Sequence, residues 1–220
     1  EWVIVDGSHH SADAIANEKY IIAQWKTLAL LPFNLEIIYI PFKPQQHLSD
    51  LRNTGNNSCH GDIIVCMDDD DYYPPTRVSH AVYRLINSSA LIAGCSNAYI
   101  YFYMYNKLFQ FKKFGENHST NNCMAYKREY LKKHSHASGL DKAEESSFTN
   151  DFTEPMVQLD AGQTIVISGH NMNTVDKDWL CNSEKSKKMA IELNTSNYIS
   201  KFIPLPILMN MEKIFEEMIM

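Results

Sequence analysis

The sequence has no C-x-x-C cysteine pair, no long block of positive charge and no apolar run of membrane-spanning length. Each absence removes a class of protein. The five cysteines, Cys59, Cys66, Cys95, Cys123 and Cys181, are odd in number and widely spaced. That argues against a zinc ribbon and against a disulfide framework. Cys66 and Cys95 lie inside apolar runs and read as small core residues. A reducing compartment is therefore expected: the cytoplasm, or the host cytoplasm if a virus encodes the chain. The densest basic stretch is KSKK at 185–188, and the formal net charge is −6. Nucleic-acid-binding domains carry a basic patch or stripe, so no nucleic-acid partner is expected and this run reads as a solvated helix face. No signal-peptide pattern opens the chain, and no internal repeat or low-complexity segment occurs.

What is present suits an α/β domain. With 220 residues and 45% hydrophobic content, the chain can bury one sizeable core. Short β-type runs occupy 2–5, 35–40, 62–68 and 90–95. Helical patterns lie between them, at 14–31, from about Leu48, and from Pro75 to Asn87 with Val78, Val82, Leu85 and Ile86 facing inward. Alternation of this kind implies a largely parallel sheet flanked by helices. The second half is less regular. YIYFYMYNKLFQFKKF (99–114) reads as a hairpin around Asn106 and Lys107, with Tyr99, Tyr101, Tyr103 and Tyr105 at strand period. Those tyrosines suit an acceptor cleft or half-buried sheet packing equally. CMAYKREYLKKH (123–134) reads as a strand passing into a short helix, SSFTNDFTE (146–154) as helix, QTIVISG (163–169) as a late strand and 183–194 as helix. The tail from Phe202 should begin extended and end as an amphipathic helix packed on the core or on a neighbouring chain; lying on a membrane surface is its lesser reading.

One stretch carries chemistry on its own. VCMDDDDYYPP (65–75) places four carboxylates at the end of an apolar strand. Neighbouring like charges raise one another's pKa, and ligand sites of α/β sheets form beyond the carboxyl ends of strands. If the strand continued, Asp68 and Asp70 would share one side, with Asp69 and Asp71 on the other. Two readings remain open. A Mg²⁺ or Mn²⁺ ion bound by the carboxylates could present a phosphorylated substrate; alternatively, the run is a solvated acidic turn capping the next helix. An EF-hand loop fails on spacing, since Tyr73 and Ser79 stand where Gly and Glu are needed. A haloacid-dehalogenase-type site fails because Tyr72 stands where Thr or Val belongs.

In its wider context the run resembles the central signature of family 2 glycosyltransferases with the GT-A fold. LRNTGNNSCHGDIIVCMDDDDYYPP (51–75) matches an Arg-Asn-x-Gly helix start, an apolar strand, a D-x-D cluster, an aromatic residue and proline. EWVIVDGS (1–8) and LEIIYI (35–40) resemble the family's second and third strands, so order and spacing fit across residues 1–95. Two departures stand out. One aspartate, not two, precedes Gly7, and the family's first strand has no counterpart upstream of Trp2. The resemblance implies one GT-A domain over 1–220: a mixed, mainly parallel sheet flanked by helices, a nucleotide-sugar half at 1–95, and an acceptor half with the tail at 96–220.

Site roles follow from the same resemblance. Asp6 would contact the uracil or other base, and Arg52 would lie beside base and diphosphate. Asp68 and Asp69 would border ribose and sugar, with Asp70 the firmest metal ligand, helped by Asp68. Glu145 is the expected general base, with Glu144 and Asp151 as further candidates; the plain alternative is an acidic helix start. His170, at the end of the late strand, is a candidate third ligand or a structural histidine. His9, His10, His118, His134 and His136 read as surface residues, and Trp179 as core, with stacking on a sugar its lesser reading. The implied activity is metal-dependent inverting transfer from a nucleotide-diphosphate sugar, UDP-linked by expectation, to a glycan, protein or lipid acceptor. A sugar-phosphate nucleotidyltransferase and a non-catalytic sugar-nucleotide or glycan-binding module are the competing readings.

Overall fold

The computed structural model of the protein describes residues 1–8, 11–28, 35–41, 46–170, 173, 179–182 and 186–217. Two compact units make up the chain: Glu1–Ile64 with Arg128–Asp151, and Val65–Lys127 with Phe152–Met220. In chain order the elements are β1 (Trp2–Val5), α1 (Ser11–Leu28), β2 (Ile37–Ile40), α2 (Leu48–Ser58), β3 (Ile63–Val65), α3 (Arg77–Ile86), β4 (Ile92–Gly94), β5 (Tyr99–Phe102), β6 (Lys107–Phe111) and β7 (Ala125–Lys127). They continue with α4 (Glu144–Phe148), β8 (Met156–Gln158), β9 (Val166–Gly169), α5 (Trp179–Asn182), α6 (Ser186–Met189), β10 (Ala190–Leu193), α7 (Thr195–Phe202) and α8 (Leu205–Glu217).

In the first unit, β1 and β2 pair in parallel, from Trp2 opposite Ile37 to Val5 opposite Ile40. Parallel neighbours need a crossover, and α1 supplies it. Asp6 follows β1, and its N–H still reaches Ile40 O at 3.0 Å. Gly7 follows, packed under α2: a Cβ there would sit 2.8 Å from Leu51 Cδ1, so the leucine side chain would have to shift.

The second unit holds two mixed layers. β7, β4 and β8 lie side by side, with β4 antiparallel to β7 and parallel to β8. The other sheet runs β10-β6-β5-β9, with β5 and β9 parallel and the other pairs antiparallel. The hairpin expected over 99–114 is present; its turn is a 3₁₀ segment at Tyr103–Tyr105, and Asn106 takes the left-handed conformation at φ 46°. Tyr72, Tyr101, Leu108 and Val166 form a core with Ile199, Ile203 and Leu208 from the C-terminal helices and their link. Each such side chain contributes roughly 1.5–3 kcal/mol on burial. Tyr101 is buried and Tyr99 and Tyr103 pack against this core, so these three serve packing.

Several elements differ from their sequence reading. Residues 190–193 form β10, not helix; Ala190–Leu193 pair antiparallel with β6, so tertiary pairing outweighs the helical pattern. Helix α4 stops at Phe148, and Asn150, Asp151 and Phe152 take φ of 50°, 53° and 59°, which no helix tolerates. The short helix expected after the β7 strand is present, as a 3₁₀ turn at Arg128–Lys132. α3 starts at Arg77, after a turn containing Pro75. Its buried face is Arg77, Ala81 and Leu85, at i, i+4 and i+8, while Val78 and Ile86 are exposed. The tail turns helical at Leu205, with only a short extended link at Ile203. All five cysteines carry free thiols; Cys95 is buried and Cys66 half-buried. Among the described residues, no helix is long and apolar enough to cross a membrane.

Gly169 ends β9 where the chain presses on β5. A Cβ there would lie 2.4 Å from Phe102 Cδ1. Gly169→Ala should therefore destabilise the protein by about 1–3 kcal/mol, read as a lowered midpoint in urea unfolding.

Candidate functional site

β3 stops at Val65, three residues before the first aspartate, and Asp69 and Asp70 lie in a turn. Strand alternation therefore does not extend through the acidic run. The bend brings Asp68, Asp70 and Asp71 together, with one carboxylate oxygen of each within 4.8 Å of the others. Asp69 is exposed and outside this group; its expected place was beside the ribose and sugar, not on the ion. Asp71 is the residue that reasoning missed, because period-two alternation put it on the far side.

The surrounding chain fixes the bend. Tyr72 forms an isolated antiparallel bridge with Val166, its N–H donating to Val166 O at 3.1 Å. The Asp68 N–H donates to Tyr73 Oη at 2.8 Å. Buried Arg77 donates from Nη2 to Cys66 O at 3.1 Å and Met124 O at 2.8 Å. Burial lowers its pKa from the ordinary arginine value. Tyr73→Phe would remove this part-buried hydrogen bond; a loss of about 1 kcal/mol is expected, measured by thermal or urea unfolding.

Asp71 accepts from Asn122 Nδ2 at 2.6 Å and from Ser168 N–H at 2.9 Å. Even so, burial, then the charges of Asp70 and Asp68, push its carboxyl up to about 7. His170 is buried beside the cluster, with Nε2 3.0 Å from Asp70 Oδ2. The His170 backbone N–H donates to Asn173 Oδ1 at 2.9 Å, and Asn173 Nδ2 donates to Ser168 O at 3.1 Å. The donor set is hard oxygen with one imidazole at its edge, and the mutual repulsion of the carboxylates is what a divalent cation relieves. The residues fit Mg²⁺ or Mn²⁺: Asp68, Asp70 and Asp71 would hold the ion, with His170 against Asp70.

The first unit carries a separate set of groups. Asp6, buried at the end of β1, accepts from the Ser8 N–H at 2.8 Å, from the Ser8 hydroxyl and from Tyr39 Oη. Burial raises the Asp6 pKa, but hydrogen bonds from Ser8, Tyr39 and Asn17 outweigh it and hold the carboxylate below its usual range. Tyr39 is pushed up by burial and by Asp6. Arg52, on α2, places Nε 3.5 Å from Glu144 Oε1, a residue only 5% exposed.

Glu144 and Glu145 open α4 behind Ala143, whose φ of 55° turns the chain sharply into the helix. Burial, then the Glu144 charge, push the Glu145 carboxyl up to about 7, and a hydrogen bond with Glu144 adds to this while Arg52 opposes it. A carboxyl poised there can exchange a proton near neutral pH. Asp151 is exposed and accepts from Ser146 Oγ at 2.6 Å.

Some side-chain readings need correction. His136 is buried, stacked on Phe148 at 4.3 Å with Nδ1 at 3.1 Å from Glu144 O. Burial lowers its pKa. His118 stacks on Phe152 at 4.6 Å and His134 on Tyr130 at 3.9 Å, so neither is a simple surface group. Trp179 is 37% exposed and is not core. His9 and His10 lie outside the described residues.

A family profile described as Glycosyl transferase family 2 matches residues 2–135. The chain belongs to glycosyl transferase family 2. The match covers Asp6, Arg52 and the acidic run but stops before Glu144, Glu145 and His170. This family 2 chain also shares the GT-A fold with a solved structure, the mannosyltransferase PcManGT from Pyrobaculum calidifontis in complex with GDP-Man and Mn²⁺. The TM-score is 0.53 and the identity 14%, over 78% of this chain and 48% of that one, so the protein spans about half the length of that structure's chain. No curated protein sequence matches.

Proposed function

We propose that the protein is a metal-dependent inverting glycosyltransferase that takes a nucleoside diphosphate sugar as donor and a hydroxyl as acceptor. The observation that carries this reading is the bend that gathers Asp68, Asp70 and Asp71 within 4.8 Å in a family 2 domain. A bound Mn²⁺ or Mg²⁺ would neutralise the diphosphate and the charge that develops on it. Asp68, Asp70 and Asp71 would hold that ion, and Asp6 and Arg52 would serve the base and diphosphate.

In the transfer step the acceptor oxygen attacks the anomeric carbon from the face opposite the diphosphate. The new C–O bond forms as the bond to the β-phosphate oxygen breaks, and the electron pair leaves with the nucleoside diphosphate. The acceptor proton passes to the Glu145 carboxylate. That role requires Glu145 ionised, so the rate should rise with pH through about 7.

A uridine diphosphate sugar remains the expected donor, and GDP-mannose, bound by PcManGT, is the first competitor to try. The acceptor would be a hydroxyl of a glycan, protein or lipid. The test is a thermal-shift screen of UDP- and GDP-sugars with and without Mn²⁺, followed by product analysis of any hit. A metal-dependent rise in melting temperature and release of a nucleoside diphosphate are expected. Release of pyrophosphate would instead identify a nucleotidyltransferase, and binding without turnover a recognition module.

A further inference from the structure

The aspartate cluster is braced from a distant part of the chain. Phe215, on α8, is only 5% exposed. Its ring stacks on His170, with centroids 4.8 Å apart and planes 21° from parallel. Tyr103 lies against the same phenyl ring, 4.6 Å between centroids. Two further contacts join α8 to this region: the Tyr103 hydroxyl reaches Met211 Sδ at 3.3 Å, and the Tyr101 hydroxyl donates to Glu212 Oε1 at 3.2 Å. His170 in turn has Nε2 3.0 Å from Asp70 Oδ2. An unbroken set of contacts thus runs from α8 through Phe215 and His170 to a carboxylate of the cluster.

We infer that Phe215 is a positioning residue for the cation site: by stacking on His170 it sets the plane of the imidazole that meets Asp70, so that the docking of α8 governs cation affinity. Aromatic stacking of this kind restricts a ring to a narrow range of orientations. Groups that orient metal-binding side chains tune affinity without touching the ion. The exposed side of α8, with Leu205, Met209 and Ile214, takes no part. The inference rests on the proposed cation site, and its test separates the two.

The measurement is Mn²⁺ titration of the full chain by electron paramagnetic resonance, with unfolding midpoints recorded for every variant. Phe215→Leu should weaken Mn²⁺ binding on the order of tenfold, and His170→Ala should weaken it at least as much. The double variant should bind no worse than His170→Ala alone, because the phenyl ring acts through the imidazole. Phe215→Tyr, which keeps the ring, should bind like the wild type, and so should Ile214→Ala, on the exposed face of the same helix. Wild-type affinity in Phe215→Leu would overturn the inference. So would additive losses in the double variant, or failure of the tyrosine to restore binding. Wild-type protein that binds no Mn²⁺ would sink the cation site and this inference together; intact wild-type binding with any of those failures would sink this inference alone.

Discussion

Asp70→Ala is expected to abolish metal-dependent sugar transfer while leaving the fold in place. Asp70 sits in a turn, its side chain 37% exposed, and supports no strand or helix. Its removal strands the contact with His170, a cost of about 1 kcal/mol. It also removes a charge that pushes the Asp71 carboxyl up, which offsets part of that cost. The effect on the reaction is of another size. On the proposed mechanism, the ion would be held loosely without the carboxylate and would no longer stabilise the leaving diphosphate. Losses of about 10²–10³ follow removal of a single fixed electrostatic group, and loss of the ion itself should exceed them. Steady-state rates with Mn²⁺, compared with wild type in excess chelator, measure this directly. Chelated wild type and the variant should fall to the same residual rate. An Asp70→Ala enzyme that turns over normally would contradict the metal reading.

Glu145→Gln should produce the second large loss, of about 10²–10⁴ in turnover, the range supplied by a positioned general base. Affinity for the donor and for Mn²⁺ should persist, because those contacts are assigned to other residues. The wild-type rate should climb as pH rises through about 7, where Glu145 ionises, and the residual rate of the variant should lack that limb. Stability should move the opposite way. The Glu145 pKa is raised in the folded state from its ordinary 4.5, so its ionisation disfavours the fold. Its cost is absent below pH 4.5, grows as pH rises, and is complete above about 7. Glu145→Gln should therefore be more stable than wild type at neutral pH and lose that advantage toward pH 4.5. Unfolding midpoints across this range, set beside the pH–rate profile, check both halves. A variant that is fully active, or that is destabilised at neutral pH, would remove Glu145 from the base role.

Much of the fold could be read from local pattern. β1 to β4 are short apolar runs with strong flanking breaks, and periodicity finds such strands without tertiary information. Residues 190–193 show the limit. AIEL follows a lysine-rich helical pattern, and only its pairing partner in β6 makes it a strand. Left-handed Asn150, Asp151 and Phe152 are equally silent in the sequence, because none is glycine. The site divides in the same way. The acidic run was legible as charge that needs a counter-ion. The membership of Asp71 was not, because it depends on a bend held by Tyr72, Tyr73 and Arg77. His170 was readable as a histidine at a strand end, and the structure sets it against Asp70. The stacking of Phe215 on that ring joins residues 45 positions apart, and no local pattern encodes it. Tyr39 beside Asp6 is a contact across two parallel strands, visible only once the register is known.

The most direct test of the central claim is an anomalous difference map from crystals soaked with Mn²⁺ and a nucleoside diphosphate sugar. The account predicts one strong peak coordinated by carboxylate oxygens of Asp70 and its neighbours Asp68 or Asp71, with diphosphate oxygens completing the shell. A fully bound sugar nucleotide with no anomalous density at those carboxylates would contradict it.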